Sequence, residues 1–72
     1  MVTTNDIRKQ FPAAIAAYDL GEYYGIANSD ERFCIVDKQN LSIVSVAMRY
    51  DREVIDAINR AIPVWYAQDD EE

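Results

Sequence analysis

Cys34 is the only thiol in this 72-residue chain, and no histidine accompanies it. A cysteine becomes a working nucleophile when a nearby base or cation draws off its proton. Here it stands between Phe33 and Ile35 in an apolar run, which is the setting of a small buried hydrophobe. The serines lack a base for the same reason, and no glycine-flanked elbow surrounds any of them. Metal chemistry is left to carboxylates. These hold calcium or magnesium only where a loop presents several oxygens at fixed spacing, and "NSDERF" (28–33) offers too few. Glu53 and Asp56 share one helical face, flanked by Arg52 and Arg60. Acid–base work would need a cleft that sets two carboxyls in opposed environments. The spacing of Asp56 and Arg60 instead suits a solvated helix pair of about 0.2–0.5 kcal/mol. The only glycines, Gly21 and Gly25, form no phosphate-cradling loop. No basic cluster exceeds two residues, Arg8 and Lys9 being the densest, so direct nucleic-acid binding is not expected. The expectation is a chain without catalytic residues, cofactor or metal, and not an enzyme.

What remains is aromatic and acidic. Tyr23, Tyr24, Tyr50, Trp65 and Tyr66 bring apolar area with a polar handle, the chemistry enriched at protein interfaces. Tyr18 shares the chemistry but sits in an apolar stripe. Asp69, Asp70, Glu71 and Glu72 follow in a row. They supply four of the thirteen acids, leaving nine against seven bases, so most of the net charge of −6 sits at one end. Such a run steers encounters with basic surfaces over about 8 Å at physiological salt, or simply keeps a protein in solution. The sequence expectation for partner-binding residues is therefore Trp65, Tyr66, Tyr23, Tyr24, Tyr50, Asp69, Asp70, Glu71 and Glu72.

These residues need elements to carry them. Thr3 and Asp6 have the spacing of a capping box at a helix start. Ile7, Phe11, Ile15 and Tyr18 recur at helical spacing, so residues 3–21 read as one helical unit kinked at Pro12 and stopped by Gly21, the alternative being a turn that ends near Phe11 and a second helix opened by Pro12. Three strand-like runs follow. "EYYGIA" (22–27) has Gly25 as a weak point or bulge. "NSDE" (28–31) is turn chemistry. "RFCIVD" (32–37) and "LSIVSVAM" (41–48) flank "KQN" (38–40) as a hairpin. Asp51 then caps a helix over 52–62, with Val54, Ile55, Ile58, Ala61 and Ile62 buried, and Pro63 ends it. The predicted fold is one small α+β domain over 1–68, in the order α-β-β-β-α, with residues 69–72 as an acidic tail. Its sheet is a three-stranded antiparallel meander packed against two helices.

Alternation along the strands holds a conflict. Phe33 and Ile35 fall on one face, Cys34 and Val36 on the other. Leu41 and Ile43 oppose Val44, Val46 and Met48. Both faces are apolar, whereas a half-solvated sheet shows polar residues at every second position. The two helices could take one face each, which would make the chain self-sufficient, or cover one face together; the expectation is the second, which leaves the other face to a partner. A domain this small buries only about 60% of its unfolded surface and cannot form an internal disulfide.

By exclusion, the sequence points to a small non-enzymatic protein-binding module. One specific form is a phage- or mobile-element-encoded inhibitor that covers a basic site on a host nucleic-acid-handling complex, its acids standing in for phosphate. The alternative is a structural or assembly subunit, or a homodimeric accessory protein. The expected partner is another protein or complex with a basic surface, or a second copy, with no membrane and no direct nucleic acid. A lone thiol and the lack of a signal-like or membrane-spanning run suggest the cytoplasm of a cell or an infected host cell.

Overall fold

Thr3 starts the first helix as its residue type predicts. Its hydroxyl accepts from the Asp6 amide at 3.3 Å, and the Asp6 carboxylate accepts from the Thr3 amide at 3.0 Å. The helix that follows, α1 (Thr4–Gln10), is only two turns long. The computed structural model describes residues 3–66, the side chain of Tyr66 excepted. Its further elements are β1 (Ala14–Asp19), β2 (Tyr23–Asn28), β3 (Arg32–Asp37), β4 (Ile43–Met48), α2 (Arg52–Arg60) and β5 (Ile62–Tyr66). The strands form one antiparallel sheet in the order β4-β3-β2-β1-β5.

The α+β class stands, and the expected meander is present as β2-β3-β4, but it belongs to a larger sheet. Two segments read as helix or as trailing chain are strands instead. Residues 14–19 do not continue the first helix. Pro12 has no amide to donate and its ring crowds the preceding turn, and the helix closes where the Phe11 amide reaches the Ile7 carbonyl at 2.9 Å. Beyond it, β1 pairs with β2 on one side and β5 on the other. Two ladders of backbone hydrogen bonds override the helix preference of alanine, which is a weak prior. Gly21, expected as a helix stop, is the left-handed residue of the β1–β2 turn, at φ 104°. Its amide donates to the Asp19 carboxylate at 2.8 Å. Residues 62–66, beyond α2, form the fifth strand.

The helices take opposite faces, against the expectation that they share one. On the first face Ile7 of α1 packs with Ala14, Ala17, Ile26, Cys34, Val36 and Leu41. On the second, Val54 of α2 packs with Ala16, Tyr18, Ala27 and Phe33, with Ile58 and Ala61 beside them. A sheet buried on both sides needs no polar alternation, which explains the doubly apolar strands. Of the face expected for the second helix, Ile55 and Ile62 are exposed. The helix ends at Arg60, two residues short of the expected limit, and Ile62 already belongs to β5.

Candidate functional site

Helix length decides what is left uncovered. At 1.5 Å per residue, α1 and α2 are roughly 10 and 14 Å long. Five strands spaced by about 4.8 Å span roughly 19 Å from first axis to last. Two short helices cannot roof that width, and the shortfall falls on β4. No residue of β4 is buried. Ile43, Val44 and Val46 are 55%, 55% and 53% exposed. The strand also lies at the sheet's edge, with β3 as its one neighbour. Among the described residues, one row of its backbone donors and acceptors therefore lacks a strand partner.

The register concentrates the apolar side chains. Val46 pairs with Cys34 and Ile43 pairs with Val36, and the ladder slips by one residue between Ile35 and Val36. The slip accommodates one extra residue on β4, a β-bulge. Directly paired residues share a face, so Ile43 and Val46 both lie on the α1 side. This corrects the simple alternation, which put them on opposite faces. Leu41 is not part of the strand. It turns back at φ 62° to bury its side chain on the α1 face. Its amide donates to the Asp37 carbonyl at 2.9 Å.

Edge strands are usually blunted by charge or proline. The other edge, β5, carries Pro63. β4 carries neither, and from Gln39 to Met48 there is no charged residue at all. At its end stands Arg49, half-buried, whose Nε is enclosed without a hydrogen-bond partner among the described residues.

The aromatic residues singled out in the sequence do not form one surface. Trp65, on β5, pairs with Ala17 of β1, packs against the α1-side core and lies under the guanidinium of Arg8, 5.4 Å from the ring centroid. It lines an open cleft of about 740 Å³ with Arg8, Lys9, Phe11 and Pro12. Tyr50 follows β4 at the opposite edge and is 62% exposed. Tyr24 is half-buried against the α1-side core, with the Lys38 ammonium 5.3 Å from its ring centroid. That ammonium also pairs with Asp19 at 2.7 Å. The contact and the Gly21 amide hold the Asp19 carboxyl below its ordinary value. Tyr23 is exposed at the start of β2. The Tyr66 side chain and Asp69, Asp70, Glu71 and Glu72 lie outside the described residues.

Cys34 is buried on the α1 face, where its sulfur accepts a long contact of 3.5 Å from the side-chain Nδ2 of Asn28. Among the described residues no three histidine, cysteine, aspartate or glutamate side chains gather as a metal site would require, and no helix is long and apolar enough to cross a membrane. Comparison with protein-family models, with curated proteins and with solved structures gives no match. Sequence reading missed the β4 edge as a site. The signal was there in the uncharged run 39–48, but it marks an edge only once the strand order is known.

Proposed function

We propose that this chain is a protein-binding module that docks through the free edge of β4. One observation carries the reading. The apolar side chains Ile43, Val44 and Val46 lie more than half exposed on the strand whose outer backbone row has no strand partner among the described residues. Strand addition at such an edge supplies main-chain hydrogen bonds for affinity and side-chain contacts for selectivity. The apolar surplus inferred from the sequence is thus an edge rather than a whole face. An assembly role fits this geometry better than a cover for a basic groove, because the edge itself carries no charge.

The test is affinity capture with three baits: wild type, Val46→Lys and Trp65→Ala. Lysine at an edge strand is a recurrent guard against pairing, and Val46 is exposed enough to accept it. Edge docking predicts that a captured protein is lost with Val46→Lys and kept with Trp65→Ala. The reverse pattern would move the docking surface to the cleft beside β5.

A further inference from the structure

We infer that the occupant of the β4 edge is a second copy of this chain, its β4 running antiparallel to the first about a two-fold axis near Val46. The inference rests on the docking reading above and names its partner. Three observations support it. First, the chain carries a net charge of −6, so two copies repel unless they meet where neither is charged. The stretch from Gln39 to Met48 is the longest uncharged run within the described residues. A basic partner would gain nothing from it.

Second, the edge is complementary to itself. A two-fold axis perpendicular to the sheet keeps both α1 faces on the same side. With the axis at Val46, the two Val46 side chains face each other, and Val44 of each copy lies opposite Met48 of the other. Apolar side chains then meet apolar side chains along the joint, the pairing that stabilises antiparallel strands. The ladder with β3 is regular from Ser45 to Met48, and the extra residue between Ile43 and Ser45 places the bulge toward each end of the joint.

Third, the two ends of the joint carry opposite charges, Arg49 at one and Asp37 at the other. The same axis places Arg49 beside Ile43 of the second copy, at the end of that copy's β3–β4 turn. That turn carries Asp37, whose amide donates to the Ser42 carbonyl at 2.9 Å. Asp37 thus stands one strand, about 5 Å, beyond the joint, within the reach of an arginine side chain. Arg49 of each copy meets Asp37 of the other, once at each end of the joint.

The area sets the strength. A joint made by one six-residue strand from each copy is small beside the roughly 1,200 Å² of stable specific interfaces. The pairing should therefore be a reversible equilibrium in the micromolar range. Sedimentation equilibrium of the full chain from 1 to 500 µM (about the range that brackets such a constant) reads it directly. The expected result is a shift from one to two chain masses with concentration, weakened at least tenfold by Val46→Lys, which sets two ammonium groups face to face, and also weakened by Val44→Lys. Ile62→Lys, on the β5 edge, should leave it unchanged. Should Val46→Lys fail to keep the wild-type thermal midpoint, Val44→Lys decides alone. A chain that stays monomeric throughout overturns the second copy. If its captured partners are nevertheless lost with Val46→Lys, the edge-docking reading survives. If those captures are also indifferent to Val46→Lys, both fail. Self-association that Val46→Lys and Val44→Lys leave intact would place the joint elsewhere and overturn the proposal.

Discussion

The ring of Phe33 lies over Gly25, filling the space that a side chain on Gly25 would occupy. The two residues sit on neighbouring strands, Gly25 paired with Ile35 and Phe33 paired with Ala27. A Cβ built on Gly25 would meet the Phe33 ring, with Cε2 at 2.8 Å and Cζ nearer still. The glycine is thus the seat of the largest fully buried side chain of the core. Gly25→Ala should cost about 1–3 kcal/mol, as overpacking does. In a Phe33→Leu background most of that loss should vanish, since the ring that clashes is gone. Urea denaturation of the four proteins of this cycle measures the coupling.

Ile7 and Val54 anchor the two helices on opposite sides of the sheet. Ile7→Ala should lose about 2–5 kcal/mol, because Ile7 is the one buried residue of α1. Val54→Ala should lose less, having fewer atoms to remove. The two losses should add to within about 0.5 kcal/mol, as they do for sites with no shared neighbours. Chemical denaturation of both single variants and the double decides it. A coupling well above that value would place both helices in one core.

Asp19 and Lys38 give a pH signature. The Lys38 ammonium, with the Gly21 amide, holds the Asp19 carboxyl below its ordinary value. A carboxyl depressed in the folded state adds stability above its unfolded pKa of about 3.9 and loses it as pH falls through the folded value. Lys38→Met should therefore return the Asp19 titration toward the ordinary value, followed by carbon NMR of the carboxyl. It should also flatten the fall of stability below about pH 4. Both side chains are about one-third exposed, so the effect at neutral pH should be small.

Leu41 combines a left-handed backbone with a buried side chain. Leucine at positive φ costs about 1–2 kcal/mol, which burial against Ile7 and Val36 offsets. Leu41→Gly removes the strain and the packing together. Leu41→Ala keeps the strain and loses the packing. Alanine should thus be the less stable of the two, reversing the usual order of these residues within regular elements. Thermal denaturation of both variants checks this.

Much of the centre of the fold was legible. Lys38, Gln39 and Asn40 wrote the β3–β4 turn, which the carboxylate of Asp37 and the side chain of Asn40 close by accepting from backbone amides. The Thr3–Asp6 box wrote the first helix. The stretch around Ile15 misled because the small residues Ala14, Ala16 and Ala17 fit a helix and a doubly buried strand equally well. What decided between them was the partner strand β5, supplied some forty-five residues later by a segment that itself contains Pro63. The partner of a strand is a long-range fact that periodicity does not carry. The same limit hid the site. Val44 and Val46 were read as surplus apolar surface, but their place on an unpaired edge depends on the strand order. The aromatics told less, because Trp65 and Tyr50 stand at opposite edges and Tyr24 packs against the core.

Amide hydrogen exchange resolved by residue tests the edge most directly, read at low micromolar and near-millimolar concentration. Protection of the amides of residues 43–48 should rise with concentration, while that of residues 62–66 on the other edge stays constant. Exchange along β4 that is fast and equal at both concentrations would contradict the account.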